Sequence, residues 1–312
     1  MSILDAIIQG IVQGLTEFLP VSSSGHLLIS QHILGVKENN LFFSIMLHIG
    51  TLIAVLAVYY KTILKLIKSF FGIIKDIFTG KFDFKKLDND KNMVLMLMAG
   101  LLPLFLLFVP IPGSSTDVKG IAEELAGDKS IILVGIALIV TSILLKAGIN
   151  ARQTYKINCT FDSEKPWEGR KRLNLMDALS IGVTQFVAAI FPGISRSGST
   201  LSTGLLRGIN KQTALDYSFI LGTPAILAAA VIELKDALKA GAISSVGLVP
   251  VIVGMVVSAV VGFLSIKLFK WLLKTDKMII FVIYTFVVGL AAVIIGVIEN
   301  IYGINIFTHT TL

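Results

Sequence analysis

The sequence predicts an all-α, polytopic membrane protein with six transmembrane helices and two re-entrant helix pairs in an inverted-topology repeat. Three observations lead to this fold class: the lengths of the apolar segments, the distribution of basic residues, and a match between the two halves. Of the 312 residues, 54% are hydrophobic and only 15% are charged, and the mean hydropathy is +0.84. Soluble domains carry about 25% charged residues, so the composition favours a membrane location.

Six apolar segments are long enough to cross the hydrocarbon core of a bilayer. A helix needs about 20 residues to cross a core of roughly 30 Å. Backbone amides in lipid must form their hydrogen bonds within the segment, which requires helices. We therefore predict transmembrane helices at residues 41–60, 93–111, 130–147, 213–232, 246–266 and 278–298.

Basic residues divide the connecting segments into two sets. Residues 113–129 and 299–312 are poor in lysine and arginine. Four other segments are rich in them, namely 61–92, 149–174, 207–212 and 267–277. Basic residues near span ends favour the cytoplasmic side, and six spans place all four basic segments on that side.

The first two basic segments are accordingly predicted to be cytoplasmic loops. Residues 61–78 set lysines against Ile, Leu and Phe, a pattern typical of a helix lying on the inner leaflet. A simple solvated basic loop is the alternative for this stretch. The formal net charge of +7 then reflects membrane topology, and no nucleic-acid partner is expected.

Two apolar regions, 3–34 and 175–206, remain outside the six spans. The charge pattern requires each to enter and leave on one face, the first from outside and the second from the cytoplasm. Each is interrupted in the middle by a proline, Pro20 or Pro192, and proline breaks a helix interior. We therefore predict a re-entrant helix pair in each region.

The two regions also match each other without a gap at a shift of 172 residues. Gln13 matches Gln185, Pro20 matches Pro192 and Ser23 matches Ser195. Three spans separate the copies, so the second is predicted to be inverted in the membrane. Such repeats place a polar site near the midplane, at their interface. The prediction is a single membrane domain, 1–312, with repeat one at 1–148 and repeat two at 175–312.

The first polar motif lies in the first pair. Gln13 and Glu17 are four residues apart and share a helix face. After Pro20 the chain carries three hydroxyls and an imidazole, from Ser22, Ser23, Ser24 and His26. Ionisable groups within membrane segments are candidate functional residues. The alternative is a turn outside the membrane with an N-capping serine.

The second polar motif follows Pro192. Small residues such as Gly193 let the backbone approach a ligand closely, and hydroxyls beside a helix N-terminus suit a phosphate. The guanidinium of Arg196 can bind phosphate oxygens in a bidentate fork. The neighbouring hydroxyls are Ser195, Ser197 and Thr200. The alternative is a purely structural ion pair between Arg196 and Glu17.

The remaining residues and motifs mainly exclude other kinds of site. His48 lies in an apolar run, and we interpret it as a residue that hydrogen-bonds between helices, outside the core site. The sequence contains no HExxH, no paired cysteines and no Walker-type loop. A dedicated structural zinc site and an ATP-driven motor are therefore unsupported.

At its two polar motifs the sequence resembles the undecaprenyl-diphosphatase family, also called bacitracin-resistance proteins. The family pattern is (E/Q)xxxE leading into Pro-Val-Ser-Ser-x-Gly-His, followed much later by PGxSRSxxT. The corresponding stretches here are QGLTE, PVSSSGH and PGISRSGST. Motif order, spacing and the multi-span background also agree, so the resemblance covers nearly the whole chain.

The resemblance implies hydrolysis of polyprenyl diphosphate to the monophosphate and inorganic phosphate. That reaction recycles the lipid carrier of cell-wall glycan (peptidoglycan) synthesis and confers bacitracin resistance. The family also implies a plasma-membrane location, a site open to the outer face, and a divalent cation, Mg²⁺ or Ca²⁺. A homodimer is one assembly that suits such a protein.

Family roles can be transferred to matching positions of this sequence. The expected catalytic residues are Glu17, Ser23, His26 and Arg196. The expected diphosphate-binding residues are Gln13, Ser22, Ser24, Gly193, Ser195, Ser197 and Thr200. Glu17, with Gln13, is the expected metal ligand. Gln13 stands where many family members have glutamate, which weakens a scheme with two carboxylates on one metal.

A mechanism follows as a hypothesis. His26 lies three residues after Ser23, so the two are expected to face each other across one helical turn, with His26 as the acid–base group. Ser23 is either the nucleophile or a hydroxyl that holds phosphate, and direct attack by water is equally allowed. Glu17 would hold the cation or orient His26.

Two other functions make different demands on the sequence. The acid phosphatase-type pattern SRxxxxxHxxxD fails, because the required histidine and aspartate positions hold Ser202 and Leu206. A transporter or flippase of polyprenyl phosphate remains the serious alternative, since inverted repeats and broken helices are typical of secondary transporters.

Overall fold

The structure is a computed structural model. It describes residues 2–35, 41–113, 116–127, 130–160, 168–239 and 247–310. These residues form α-helices and two 3₁₀ helices, with no β-strand among them. The α-helices are α1 (Ile3–Thr16), α2 (Ser23–Leu34), α3 (Leu41–Phe78), α4 (Asn89–Leu101), α5 (Val118–Gly127), α6 (Ile131–Thr160), α7 (Leu175–Ile190), α8 (Arg196–Leu206), α9 (Lys211–Lys239), α10 (Leu248–Lys274) and α11 (Ile279–Tyr302). The 3₁₀ helices are Phe84–Lys86 and Leu102–Phe108.

The predicted all-α fold and its six spans are confirmed. Within the described ranges, six helices are long and apolar enough to cross a membrane: α3, α4 with its 3₁₀ extension, α6, α9, α10 and α11. Their outer surfaces keep large apolar side chains, and Ile283 and Val260 remain 59% and 56% exposed. A water-facing helix would carry polar groups there, so these surfaces suit lipid.

Residues 61–78 are helical, as predicted, but they do not form a separate interfacial helix. They continue the first span, so that α3 runs unbroken for 38 residues, about 57 Å. The stretch contains no proline, and lysine is a good helix former, so nothing in the sequence interrupts the helix. α3 therefore extends beyond a hydrocarbon core of roughly 30 Å.

The regions left outside the six spans form two helical hairpins. Hairpin 1 joins α1 and α2, of 14 and 12 residues, and hairpin 2 joins α7 and α8, of 16 and 11 residues. A helix of 16 residues is about 24 Å long, too short to cross the membrane. Pro20 and Pro192 lie in the two turns, as predicted. Re-entrance and the inverted repeat stay predictions.

Each hairpin is antiparallel. Gln31 near the end of α2 donates to Gln9 of α1 at 3.2 Å, and the hydroxyls of Thr184 and Thr203 join α7 to α8 at 2.9 Å. The chain therefore reverses direction at each proline-containing turn. This reversal places the polar residues of each motif at a hairpin tip.

The helix caps refine the internal match. The first helices of the hairpins begin with capping boxes at Ser2 and Asn174, which are 172 residues apart. The second helices begin after the N-caps Ser22 and Ser195, which are 173 residues apart. Hairpin 2 is thus one residue longer from cap to cap.

The basic segments gather at one end of the bundle, as the charge pattern predicts. Arg172 donates to the carbonyl of Leu87 at 3.3 Å. Asp276 accepts from Lys211 at 2.6 Å and from Arg152 at 2.9 Å. These contacts connect all four basic segments. That this end faces the cytoplasm stays a prediction.

Candidate active site

The two hairpins meet tip to tip. The backbone amide of Gly193 donates to Ser24 Oγ at 3.3 Å, and Ser197 Oγ donates to the carbonyl of Leu19 at 3.1 Å. A Cβ atom on Gly25 would lie 3.4 Å from Gly193 Cα, so the two backbones lie close together here. The two polar motifs, far apart in sequence, therefore form one site.

Glu17 lies at the centre of this site. It is the C-cap residue of α1 and is only 5% exposed. One carboxylate oxygen, Oε1, accepts from Arg196 Nη2 at 2.7 Å. The other, Oε2, accepts from Ser23 Oγ at 2.7 Å and from Gln13 Nε2 at 3.0 Å. Residues from both hairpins thus converge on one buried carboxylate.

The local backbone of hairpin 1 explains how Ser23 reaches Glu17. Ser22 is the N-cap of α2 and has a φ of 73°, a left-handed conformation that is unfavourable for a serine. Its Oγ accepts from the amide of Gly25 at 3.2 Å, which helps to hold this conformation. Ser23 is then the first helical residue, with its hydroxyl directed back to α1. Backbone strain of this kind is concentrated at functional sites.

Arg196 occupies the equivalent first position of α8. Ser195 is the N-cap and its Oγ accepts from the amide of Gly198 at 3.1 Å. The guanidinium lies against Gly222 of α9, where a Cβ atom would overlap it. The side chain of Arg196 keeps 20% exposure, so it is partly accessible from the site.

The hydroxyls of the second motif bond mainly to protein groups. Thr200 Oγ1 donates to the carbonyl of Arg196 at 2.8 Å and contacts Ser218 Oγ at 2.5 Å. Ser195, Ser197 and Thr200 are each at most 3% exposed. In this structure they hold α8 in place, and direct phosphate binding by their side chains stays a prediction.

His26 does not face Ser23 as expected. Its Nδ1 lies 2.8 Å from the carbonyl of Ser22 and its Nε2 lies 2.8 Å from Tyr284 Oη on α11. Because a carbonyl only accepts, Nδ1 carries the proton in the neutral ring and Nε2 accepts from the tyrosine. The two rings stack with centroids 5.5 Å apart. Ser23 turns back to α1, whereas His26 extends towards α11.

His48, which was predicted to lie outside the core site, and Tyr284, which no sequence motif marked, both lie beside site residues. Nε2 of His48 lies 3.9 Å from Glu17 Oε2, and its Nδ1 lies 2.9 Å from the carbonyl of Ser44. The signal available for His48 was its position as an ionisable residue inside a span. Nothing in the sequence indicated Tyr284, because tyrosines are common in apolar helices.

The site lies inside the bundle, about a third of the way along two of its long helices. Thr141, whose hydroxyl accepts from the amide of Ser195 at 3.0 Å, is ten residues from the start of α6. Gly222 is eleven residues from the start of α9. At 1.5 Å per residue, each lies roughly 15 Å from its helix end. This depth agrees with a site between the two halves.

Glu17 and Gln13 are the residues predicted to hold a divalent cation. The described residues contain no group of three or more His, Cys, Asp or Glu side chains that could hold a metal ion. Beside Glu17, however, Gln13 Oε1 is buried without a hydrogen-bond partner. Carboxylate and amide oxygens suit Mg²⁺ and Ca²⁺, and Mg²⁺ often shares substrate phosphate oxygens. The residues fit a cation shared with a diphosphate.

Fold and site together define a polytopic helical membrane protein with an arginine, a carboxylate and a serine assembled between two hairpins. Residues 6–291 match the family described as "Bacitracin resistance protein BacA", and the chain belongs to that family.

Curated relatives cover the chain almost completely. The undecaprenyl-diphosphatase of Alkaliphilus metalliredigens is 37% identical over 293 residues, 93% of this chain and 97% of the relative. That of Methanosphaera stadtmanae is 35% identical over 307 residues, 96% and 99% of the two chains. That of Carboxydothermus hydrogenoformans is 34% identical over 299 residues, 95% and 98% of the two chains.

Proposed function

We propose that the protein is a phosphatase that hydrolyses undecaprenyl diphosphate, or a related polyprenyl diphosphate, to the monophosphate and inorganic phosphate. The convergence of Ser23 and Arg196 on Glu17 is the observation that carries the proposal. Glu17 thus brings together the guanidinium of Arg196, which can bind an anion, and the hydroxyl of Ser23, for which Glu17 can act as a base. The names of the relatives support the substrate.

Arg196 binds the diphosphate in this scheme. A guanidinium grips two phosphate oxygens at once, and it neutralises the charge that phosphoryl transfer spreads over them. When the diphosphate takes up Arg196, Glu17 loses its 2.7 Å ion-pair partner. An unpaired carboxylate in an apolar site is a better proton acceptor, so substrate binding activates Glu17.

Ser23 then serves as the nucleophile. Its hydroxyl lies 2.7 Å from Glu17 Oε2, within the range for proton transfer to a general base. A bond forms from Ser23 Oγ to the terminal phosphorus, and the bond from that phosphorus to the bridging oxygen breaks. The polyprenyl monophosphate leaves with the electron pair, and the serine proton passes to Glu17. Water next cleaves the phosphoserine and releases phosphate.

Direct attack by water, with Ser23 only holding the phosphate, is the alternative route. Glu17 is better placed than His26 to act on Ser23, because the ring nitrogens of His26 bond to Ser22 and Tyr284. If Gln13 and Glu17 hold a divalent cation instead, Glu17 would be a metal ligand and not the general base. When bound, such a cation supplies charge neutralisation and orients phosphate oxygens.

The cellular role is part of the same proposal. The site opens to the outer face of the plasma membrane, and its reaction recycles the lipid carrier of peptidoglycan synthesis. Return of the carrier to the monophosphate form accounts for bacitracin resistance. Burial of the head-group site among apolar helices supports a substrate whose prenyl chain stays in lipid.

Phosphate release by purified protein in detergent tests the proposal. In detergent there is no membrane across which a lipid could be moved. A phosphatase would still release phosphate from undecaprenyl diphosphate, whereas a flippase would release none. Arg196→Ala should lower the rate by at least roughly 10³-fold, the scale set by transition-state arginines. A nearly normal rate in that variant would contradict the role of Arg196.

The covalent route has its own test. Rapid quenching with labelled substrate should trap a phosphoserine at Ser23, and Ser23→Ala should lose nearly all activity. If Ser23→Ala kept most of the activity, direct attack by water would replace the covalent step. Ser30→Ala is a matched control on the same helix, since Ser30 only donates to the carbonyl of Leu27.

A further inference from the structure

An apolar groove opens beside hairpin 2. It encloses about 550 Å³ between the 3₁₀ helix Leu102–Phe108, α5, the end of α7 and the second half of α9. Most of its lining residues are apolar, among them Phe105, Phe108, Ala189, Ala225 and Ala229, and three are charged, Lys119, Glu123 and Glu233. None of the catalytic candidates lines it.

Two prolines shape the groove. Pro103 lacks an N–H and obstructs an α-helix interior, and the chain continues from α4 as a narrower 3₁₀ helix. Pro224 lies within α9, directly before the alanines that form the opposite wall. One wall therefore carries large side chains and the other carries methyl groups, which leaves a space between them.

The groove lies close to the head-group site along α9. Ala225 and Ala229 follow Gly222 by three and seven residues, so all three lie on one helix face. Gly222 is in direct contact with the guanidinium of Arg196. The groove therefore begins about one helical turn from the group that binds the diphosphate.

Hairpin 2 provides a second connection. Ala189 lines the groove and is the counterpart of Glu17 at the shift of 172 that relates α1 to α7. Where hairpin 1 presents a carboxylate to the head group, hairpin 2 presents a methyl group to the groove. The two hairpins thus offer complementary surfaces to a molecule that is polar at one end.

We propose that this groove binds the isoprenoid units nearest the diphosphate, an inference that rests on the proposed function. A hydrocarbon chain suits apolar walls, because burial contributes about 25 cal/mol per Å² of apolar surface. The volume lies within the range of roughly 300–1,000 Å³ of ligand sites. Phe105 and Phe108 are 66% and 52% exposed, so the groove is open along one side and the rest of the chain continues into lipid.

Filling the groove tests this assignment. Ala225→Phe and Ala229→Phe place a ring in open space, whereas Val231→Phe, on the opposite face of α9 and 61% exposed, is a matched control. KM and kcat are measured for undecaprenyl and farnesyl diphosphates. The inhibition constant of methylenediphosphonate reports on the head-group site alone.

The groove variants should raise KM for both prenyl substrates by at least about tenfold, a loss of about 1.4 kcal/mol. Their inhibition constant for methylenediphosphonate should stay unchanged, and the control should resemble the wild type. Groove variants that behave like Val231→Phe would overturn the assignment. So would an equal weakening of methylenediphosphonate, which would show damage to the head-group site.

A different result would show that the proposed function itself is wrong. The wild type would then release no phosphate from either prenyl diphosphate, which would remove the substrate and the groove assignment together.

Discussion

Gly222 lies directly against the guanidinium of Arg196, which occupies the space that a side chain at residue 222 would fill. The arginine also donates to Glu17 at 2.7 Å. A glycine on a transmembrane helix therefore determines where the anion-binding group of the site can lie. Its role is steric, because Gly222 has no unusual backbone angle.

Gly222→Ala should displace the guanidinium of Arg196 and reduce kcat/KM. A misplacement of about 1 Å can cost roughly 10²-fold in rate, and we expect a loss of that order. Phosphate release with undecaprenyl diphosphate measures it. Val231→Ala, at an exposed position of α9 outside the groove, is the control for a small change on the same helix. A fully active Gly222→Ala would contradict the steric role.

Tyr284→Phe removes the hydroxyl that bonds to His26 Nε2 but keeps the stacked ring. Because Glu17 and not His26 takes the serine proton in the proposed mechanism, kcat should change by less than about twofold, although the lost hydrogen bond should cost about 1 kcal/mol of stability. A fall in kcat of roughly fivefold or more would show that His26 takes part in proton transfer. KM should not change. A raised KM with normal kcat would instead indicate that Tyr284 contacts the substrate.

Gln13→Glu restores the second carboxylate of the family pattern next to Glu17. Two carboxylates bind a hard cation more strongly than one, so the Mg²⁺ or Ca²⁺ concentration for half-maximal activity should fall. Without cation the like charges repel, and the variant should unfold at a lower temperature that added Mg²⁺ or Ca²⁺ restores. Wild-type activity that withstands chelation would contradict cation dependence.

Asp276 provides a pH prediction at the basic end of the bundle. Partial burial raises the pKa of Asp276, but the ion pairs with Lys211 and Arg152 lower it more, so the net pKa lies below its ordinary value. Its stabilising effect is therefore complete above the unfolded pKa of about 3.9. It is lost as the pH falls through the lower pKa of the folded protein.

Asp276→Asn should unfold at a lower temperature than the wild type at pH 7. The side chain is about half exposed, so the loss should be at most about 1 kcal/mol. Asparagine tolerates the left-handed φ of 55° at this position, which leaves the backbone unstrained. The difference should vanish below the folded-state pKa. A deficit that persists at strongly acid pH would point to a cause other than the charge.

Much of the fold could be predicted from sequence because apolar length and charge sorting are local signals. The six spans and the breaks at Pro20 and Pro192 follow from them directly. The meeting of the two motifs followed from the internal match. The continuation of α3 beyond the first span could not be predicted, because lysines are as acceptable in a continuing transmembrane helix as in a separate interfacial helix.

The finer geometry of the site depends on helix rotation, which the sequence leaves open. His26 and Tyr284 are 258 residues apart, and their contact is set by how α11 packs on α6. The orientation of His26 away from Ser23 follows from the same packing. The proximity of His48 to Glu17 likewise depends on the position of α3 beside hairpin 1.

The pairing of Glu17 with Arg196 has a consequence for biosynthesis. The two residues are 179 positions apart, and chains grow at about 5–20 residues per second. Glu17 is therefore synthesised roughly 10–35 seconds before its partner exists. Until hairpin 2 arrives, Glu17 lacks the arginine that pairs with it in the folded protein. During that interval the first half of the chain should bind membrane-insertion chaperones. The enzyme can become active only after the second half has been inserted.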